Sequence, residues 1–584
     1  MNICCVTDWL LLRHRDEVEN HMKGGICVLK EYILMETTKF NKLFQSCLKL
    51  GFSCLFLWVF LNALFATTPS VAQPNAVKSF VWLLLCIVGC VALYRVITYQ
   101  QEQETKVFLF CKKKEPLLLL LVIAFTAALE LYFVYFSFQR TGWDVEYLFT
   151  SAWKLAKSSI DADFWTYYYM FPNNTFLMAC ETLFIRSVLK IEPSISGTLT
   201  YYFLLCINVV VVNVTLICTY SLAKTFWGKK WAWITLISGI LLLGLNPWLT
   251  VFYSDILAMM FPVLFLWLLL KVKQAKSVWV KSLLLASGGA CLAVGMLIKP
   301  TVVIVGIAVL VLVIVSSLGS CMQKMKKLLG VCLCVGILLI GFIIGYTAVK
   351  EIEIFSLSPY GWDIEGDKNI EFPWTHFLMM GATENEIWPD IIYYGAWNYE
   401  TIAYTQSFSG YAQKEKANIA GYFDQVKSYG ILGYLDFLNH KMNWVLGDGS
   451  FFWGREGVFY GGITKSMAEK QGALGKWMKD LLYLGSAKNE CFSELQQGLW
   501  LLYLLLLAAS GWVKVEKTQK DFTNVLKLAI MGIISFLLLF EGRSRYLILY
   551  LPFFLLLGVS VERDLIRKIR SRKNGTEIVK NPTT

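Results

Sequence analysis

Apolar segments of about 20 residues recur throughout this chain, and each is long enough to cross the hydrocarbon core of a bilayer as a helix. Hydrophobic residues make up 56% of the sequence, charged residues make up 16%, and the mean hydropathy is +0.54. A chain this apolar cannot cover its surface with polar groups in water, which excludes a soluble globular protein. We predict an all-α polytopic membrane protein with about twelve transmembrane helices, near residues 48–66, 79–97, 117–137, 199–221, 231–250, 254–270, 281–298, 301–318, 328–346, 497–513, 523–540 and 546–561.

The positions of lysine and arginine predict how the spans are oriented, because cytoplasmic loops carry an excess of both residues. Basic clusters lie before the first, third, fifth and ninth spans and after the sixth, tenth and twelfth, and include Lys42, Lys113, Lys229, Lys273, Lys326, Lys517 and Arg563. They share one side of the membrane only if the apolar segment 172–190, which carries Glu181 and Arg186, does not cross it. We therefore expect both termini in the cytoplasm and a location in the cell membrane. The net charge of +12 then reflects these loops and does not point to nucleic acid.

On this topology the chain divides into five parts. They are a cytoplasmic tail (1–46), a transmembrane module (47–346) with its first outer loop (138–198), a large outer segment (347–495), the C-terminal helices (496–562) and a basic cytoplasmic tail (563–584). The large outer segment is rich in Gly, Trp and Tyr, and its mixed pattern predicts mainly short helices and irregular loops. Most of the 16 cysteines lie in apolar runs or in the N-terminal tail, so we expect no disulfide framework.

Charged residues gather at the span ends that are predicted to face outward. Charges at the edge of the hydrocarbon are expensive, and they are functional candidates for that reason. Three carboxylates, one lysine and two arginines belong to this group: Asp144, Glu146, Asp255, Lys299, Arg543 and Arg545, with Glu541 beside the arginines.

The acidic residues of this group have two interpretations each. Asp144 and Glu146 are two positions apart, so on an extended turn both face one way and can hold a divalent cation, or one can act as a general base. The alternative is an ordinary solvated loop. Asp255 interrupts a long apolar stretch and is either a metal ligand or second acid, or a polar turn between helices.

The basic residues of this group point to an anion. Arg543 and Arg545 run against the positive-inside tendency, so both need an anionic partner. Glu541 can satisfy one of them, and the other is then available to bind a phosphate through its planar guanidinium. The alternative is a local Glu–Arg clamp. Lys299 either binds the same phosphate or is a lysine that extends to the interface beside Pro300.

Two further residues are weaker candidates for substrate binding. His376 has no second histidine nearby, and the alternative interpretation is a surface or hydrogen-bonded loop residue. Asp363 lies in Gly361-Trp362-Asp363-Ile364-Glu365, which is similar to the Gly142-Trp143-Asp144-Val145-Glu146 of the first outer loop. That similarity makes Asp363 the alternative catalytic acid.

The order and common sidedness of these motifs resemble the GT-C superfamily of membrane glycosyltransferases, specifically bacterial relatives (family 39-like) of protein O-mannosyltransferases and of the lipid A aminoarabinose transferase. The resemblance covers roughly residues 117–560 and rests on short motifs: the acids Asp144 and Glu146, Phe171-Pro172-Asn173-Asn174 before an apolar helix, Gly228-Lys229-Lys230 before a span ending at Asp255, and Glu541-Gly542-Arg543-Ser544-Arg545-Tyr546-Leu547 followed by Pro552.

The resemblance implies an activity. In that family the acid of the first outer loop is a general base, which deprotonates an acceptor hydroxyl for inverting attack on a sugar linked to polyprenyl phosphate. Asp144 would be this base, and Lys299, Arg543 and Arg545, with Glu541, would surround the lipid phosphate. The acceptor would be a glycan, a teichoic acid or a protein. A divalent cation held by Asp144, Glu146 and Asp255 and a metal-independent reaction are equally compatible with the family.

This chain departs from the family pattern in three ways. The hairpin 48–97 is additional, the acids are Asp-x-Glu rather than adjacent, and the segment 347–495 has no recognisable sugar-binding module. One alternative is a polysaccharide polymerase or ligase of the cell envelope, which would not need Asp144. The other is a lipid or solute transporter, for which Asn208 and Asn213 are the best polar residues at mid-depth, although both could simply bridge helices.

Overall fold

The computed structural model describes residues 26–65, 75–105, 113–137, 141–161, 163–317, 324–363, 365–388, 391–453, 472–482 and 486–579. The first 25 residues of the predicted N-terminal tail therefore lie outside the described part of the chain. Most of the described residues are helical. The helices are α1 (Ile26–Phe65), α2 (Ala76–Glu102), α3 (Glu115–Ser137), α4 (Asp144–Ala156), α5 (Thr166–Met170), α6 (Thr175–Ile191), α7 (Gly197–Trp227), α8 (Lys229–Gly239), α9 (Ser254–Leu257), α10 (Met260–Gln274), α11 (Val278–Ile298), α12 (Ile304–Ser317), α13 (Lys324–Leu357), α14 (Trp374–Met380), α15 (Tyr399–Gln406), α16 (Tyr411–Leu446), α17 (Gly472–Leu482), α18 (Ala487–Ala509), α19 (Lys520–Leu539) and α20 (Leu551–Val579).

Ten helical segments within the described ranges are long and apolar enough to cross a membrane. Each overlaps a predicted span, so the prediction of a polytopic helical membrane protein is confirmed. The segments are Asn41–Phe65, Ala76–Glu102, Glu115–Ser137, Gly197–Trp227, Ser254–Gln274, Val278–Ile298, Leu329–Tyr360, Ala487–Ala509, Lys517–Leu539 and Ser544–Arg572.

The two remaining predicted spans form shorter helices. The segment 231–250 contains α8, which continues as a π-helical turn over Ile240–Gly244 and a 3-10 turn over Pro247–Thr250. The segment 301–318 corresponds to the apolar stretch Pro300–Ser316. The segment predicted not to cross the membrane, 172–190, forms α6, which is not among the ten candidate spans.

Glycine brings the backbones of α11 and α13 close together. A Cβ atom at Gly289 would lie 1.9 Å from the carbonyl oxygen of Leu338, and one at Gly341 would lie 2.0 Å from that of Ala286. Small residues of this kind are how helices approach closely in a membrane, where apolar burial alone gives little drive to associate.

Asn208 and Asn213 bridge helices. The amide of Asn208 on α7 donates to the carbonyl oxygens of Leu249 and Val251, at 3.0 and 2.9 Å, in the irregular stretch between α8 and α9. The amide of Asn213 donates to the carboxyl group of Glu130 on α3. These contacts give hydrogen-bond partners to backbone and side-chain groups that lipid could not satisfy. They agree with the interpretation that both residues bridge helices.

The large segment after α13 is more regular than the sequence predicted. Its strands β1 (Glu384–Trp388) and β2 (Ile391–Tyr394) form an antiparallel pair in which Glu384 opposes Tyr394. Helix α16 has 36 residues and is interrupted at Gly430, where φ is +64°. Helix α13 also extends eleven residues past the predicted span end at 346, to Leu357.

Candidate active site

The carboxylate of Asp144 is held by two tyrosine hydroxyls. The Tyr167 hydroxyl donates to Oδ1 at 2.9 Å, and the Tyr253 hydroxyl donates to Oδ2 at 3.1 Å. The amide of Asn174 donates in turn to the Tyr167 oxygen at 2.8 Å. Asp144 and Tyr167 are partly exposed, whereas Tyr253 is buried. The carboxylate is thus fixed in direction by one donor on each oxygen.

Both tyrosines remain hydrogen-bond donors at any physiological pH. Burial raises the pKa of Tyr167 and of Tyr253 well above the usual value of 10, and the nearby charge of Asp144 raises both further. A neutral phenol beside an ionised carboxylate therefore donates its proton without transferring it.

Local sequence explains how Asp144 and Tyr167 come together. Gly142, at a φ of +76°, turns the chain into α4, which begins at Asp144. Pro172 starts the 3-10 turn Pro172–Asn174 that leads into α6, and this turn brings Asn174 to Tyr167. The Phe171-Pro172-Asn173-Asn174 motif thus supports the acid through a tyrosine, a link that the sequence alone did not reveal.

The prediction that Asp144 and Glu146 face the same way is wrong. Both lie in the first turn of α4 instead of on an extended turn. Residues two apart on a helix diverge by about 200°. Glu146 accepts a hydrogen bond from Thr150 at 3.3 Å, and Asp144 points to the two tyrosines.

Asp255, Lys299 and Arg545 form a buried ion triad. The Lys299 ammonium contacts Oδ1 of Asp255, and Nη1 of Arg545 lies 2.6 Å from Oδ2. All three residues are less than a tenth exposed. Two cations share one carboxylate, so the triad carries an excess positive charge.

The triad corrects two expectations about the basic residues. Lys299 does not extend to the interface: it is buried, pairs with Asp255, and has its pKa lowered by burial against the opposing effect of Asp255. Arg545 is not reserved for binding a phosphate, because it already pairs with Asp255. Asp255 is therefore neither a simple polar turn nor a carboxylate available for metal.

Aromatic rings join the triad to Asp144. The Arg545 guanidinium lies 4.3 Å from the ring centroid of Trp143, the residue before Asp144, and 5.2 Å from that of Tyr253. The two rings pack edge to face at 4.9 Å. Cations over aromatic faces are favourable, most of all where water is excluded. The predicted convergence of these separate span ends is therefore what the structure shows.

Glu541, Arg543 and Tyr546 extend the cluster. The Tyr546 hydroxyl donates to Oε1 of Glu541 at 3.1 Å, and Nε of Arg543 lies 3.8 Å from the same oxygen. The Lys299 ammonium lies 4.0 Å from the Tyr546 ring centroid. Burial raises the pKa of Glu541, and the two arginines oppose that shift. The Glu–Arg clamp predicted as an alternative thus exists for Arg543.

Lys441 supports this cluster from helix α16, and the sequence did not single it out. Its ammonium donates to three backbone carbonyl oxygens: those of Gly381 at 2.5 Å, Leu538 at 3.0 Å and Phe540 at 2.7 Å. Leu538 and Phe540 close the C-terminal end of α19, directly before Glu541. Burial lowers the pKa of Lys441 to about 7, with Glu541 opposing. The residue fixes the start of the loop that carries both arginines.

His376 and Asp363 lie outside this cluster. His376 is fully buried, and its Nδ1 is 2.8 Å from Oγ1 of Thr405, so it is a packed residue and not a substrate contact. Asp363 is exposed, and its Oδ1 accepts from the backbone N–H of Glu365 at 3.0 Å. Its neighbour Trp362 stacks on Tyr169 at 5.0 Å, which places the second Gly-Trp-Asp motif against α5.

The candidate cation site has no matching geometry. Among the described residues, no group of three or more His, Cys, Asp and Glu side chains could hold a metal ion. Asp144, Glu146 and Asp255 do not converge, because the first two diverge on α4 and the third is enclosed by Lys299 and Arg545.

The helices and their apolar surfaces define a polytopic α-helical membrane protein. The chain belongs to the family described as "conserved hypothetical integral membrane protein", whose family model matches residues 40–564. The match includes every span-end residue discussed above. No curated protein and no solved structure matches the chain.

Proposed function

We propose that this protein is a membrane glycosyltransferase that moves a sugar from a polyprenyl-phosphate donor to an acceptor hydroxyl on the non-cytoplasmic face, with inversion. One observation supports it above the others: an oriented, partly exposed carboxylate and an excess of buried positive charge meet where several spans end. The first suits a hydroxyl nucleophile, and the second suits a phosphate leaving group held at the headgroup level.

Asp144 is the general base in this proposal. It removes the proton of the acceptor hydroxyl as the oxygen attacks the anomeric carbon, and the bond from that carbon to the phosphate oxygen breaks. Tyr167 and Tyr253 keep the carboxylate in one direction. General-base assistance of this kind contributes typically about 10²–10⁴-fold in rate.

Arg543, Arg545 and Lys299 stabilise the departing lipid phosphate. Preorganised cations in a site with little water are effective because they do not reorganise when charge develops. Asp255 and Glu541 then serve to hold the cations in place during the reaction. Asp255 is a positioning residue in this scheme, not a second acid.

The distribution of lysine and arginine supports the outward orientation of the site, since the basic clusters lie at the opposite span ends. Membrane-impermeant maleimide should label Ser158→Cys in intact cells above the level of the parent protein, and it should not label Lys276→Cys. The reverse labelling pattern would place the site in the cytoplasm.

A transfer assay tests the activity. The full-length protein in nanodiscs would receive polyprenyl-phosphate hexoses with a labelled sugar and an extract of cell-envelope acceptors. We expect transfer of label together with release of polyprenyl phosphate. Use of a lipid-diphosphate oligosaccharide by a protein that tolerates Asp144→Asn but not Arg543→Ala would instead indicate a polymerase. Movement of intact substrate across a sealed vesicle would indicate a transporter.

A further inference from the structure

A polar cavity of about 320 Å³ opens along α4, and its lining residues include neither Asp144 nor any member of the ion triad. Tyr147, Thr150 and Lys154 line it from the helix, and Asp161, Asp163 and Phe164 line it from the loop that follows. Residues 144, 147, 151 and 154 recur at helical spacing, so the cavity shares a face of α4 with the carboxylate.

The cavity and Asp144 are joined by a pair of tyrosines. The ring of Tyr147 lies 4.2 Å from that of Tyr167, whose hydroxyl binds Asp144. Ser151, which also lines the cavity, is seven positions after Asp144. Tyr147 and Lys154 line it three and ten positions after Asp144, so at 1.5 Å per residue the cavity extends from about 4.5 to about 15 Å beyond Asp144 along the helix. A length of this kind suits a short oligosaccharide better than a single sugar.

The chemistry of the walls favours a hydroxyl-rich ligand. Tyr147 is 41% exposed as a residue, and its ring is a flat apolar surface of the kind that covers one face of a pyranose. Carboxylates accept hydrogen bonds from neighbouring hydroxyls, and Asp161 and Asp163 supply two of them. Lys154, which is 2.6 Å from Asp161, adds donors for ring and hydroxyl oxygens.

Charge separates this ligand from the lipid-linked donor. One lysine and two aspartates give the cavity walls a net negative charge. A phosphate or an anionic headgroup would be repelled here, whereas it is attracted to the triad. The cavity is therefore suited to a neutral or amine-bearing molecule.

We propose that this cavity is the acceptor subsite, which binds one sugar residue of a neutral or amino-bearing glycan acceptor while a hydroxyl of the same glycan reaches Asp144. This inference rests on the proposed function and adds the class of acceptor to it. The acceptor is thus an oligosaccharide or a longer glycan. A monosaccharide is too small to occupy both the cavity and the reacting position beside Asp144.

Capture on a glycan array tests the inference without turnover. The full chain with Asp144→Asn, in nanodiscs, would be applied to neutral, amino-bearing and phosphorylated oligosaccharides of two to six residues and to serine- and threonine-containing peptides. We expect capture by neutral or amino-bearing oligosaccharides only. Adding Asp163→Asn or Lys154→Met should weaken it about tenfold, the effect of losing one good hydrogen bond. Lys427→Met and Asp424→Asn, at exposed positions of α16, from which no residue lines the cavity, should not.

Capture of no oligosaccharide, capture unchanged by both cavity variants, or capture of peptides alone would overturn the inference. In the transfer assay, the cavity variants should raise KM for a long acceptor with little change in kcat, because they remove binding that is equal in the ground and transition states. Transfer that survives Asp144→Asn would contradict the proposed function and leave the capture result intact. Loss of transfer in Asp144→Asn with unaltered capture in the cavity variants would contradict the subsite alone.

Discussion

The Tyr253 hydroxyl donates to Oδ2 of Asp144 at 3.1 Å, across 109 positions of the sequence. Tyr253 comes two residues before Asp255, the carboxylate that the triad cations share. One short stretch of chain therefore touches both the proposed base and the proposed phosphate-binding charges. A displacement of this stretch would alter both parts of the site together.

Removal of either tyrosine hydroxyl should slow transfer. Tyr253→Phe and Tyr167→Phe each leave one oxygen of Asp144 without the donor that orients it, and misplacement of a catalytic group by about 1 Å can cost about a hundredfold in rate. We expect kcat to fall by about tenfold to a hundredfold with the protein still folded. Tyr202→Phe is the control, since its hydroxyl donates to the carbonyl oxygen of Tyr135 at 2.9 Å, away from the site. Equal kcat in all four proteins would contradict this role.

The ion triad should respond strongly to the loss of its carboxylate. Asp255→Asn leaves Lys299 and Arg545 buried together without their shared anion, and breaking a buried pair costs about 3–5 kcal/mol. Thermal unfolding in detergent should show a large loss of stability. The double variant Asp255→Asn with Lys299→Met removes one of the two cations and should recover much of it. If the double variant is as unstable as the sum of its single changes, the charges are not coupled.

Lys441 should control the order of the arginine loop. Lys441→Met removes two hydrogen bonds to carbonyl oxygens at the end of α19 and one to the carbonyl oxygen of Gly381. We expect hydrogen exchange to increase in the peptide 538–545, and transfer to fall with it. Lys427→Met, at an exposed position of the same helix, is the matched control. Unchanged exchange in the Lys441 variant would mean that the loop is held by other contacts.

His376 should make stability depend on pH. Burial, and then the charge of Lys414, lowers its pKa to about 4 from a usual 6.5. Because the unfolded chain binds this proton first, its contribution is fully present above pH 6.5 and is lost as the pH falls towards 4, about 3 kcal/mol in all. His376→Gln should remove this part of the pH dependence of unfolding, and His440→Gln, at a partly exposed position, should not. Parallel pH curves for wild type and His376→Gln would contradict the burial argument.

Apolar length and charge sidedness sufficed to predict ten of the twelve expected spans and the meeting of Asp144, Asp255, Lys299 and Arg545. Ten apolar helices match predicted spans because hydrocarbon thickness dictates length directly. The charged residues were predicted to lie on the same side because each end of a span lies on one of only two sides of the membrane. No single residue had to be placed accurately for either inference.

Pairing within the site could not be predicted in the same way. Whether Arg545 contacts Glu541 or Asp255 depends on how helices distant in sequence pack, and the actual partner is 290 positions away. The direction of Glu146 depended on α4 beginning at Asp144, and helix boundaries are poorly defined by sequence. The role of Lys441 could not be predicted, because the residues next to it in the sequence do not indicate which carbonyl oxygens its ammonium contacts.

The most direct test of the account is single-turnover transfer of labelled sugar from polyprenyl phosphate by three matched variants. Asp144→Asn should lower the rate by about 10²–10⁴-fold, the usual contribution of a general base, without lowering the unfolding temperature. Glu146→Gln and Asp363→Asn should stay close to wild type, because Glu146 diverges from Asp144 on α4 and Asp363 is exposed and accepts from the backbone N–H of Glu365. Near wild-type transfer by Asp144→Asn, or loss of transfer in Asp363→Asn alone, would contradict the assignment.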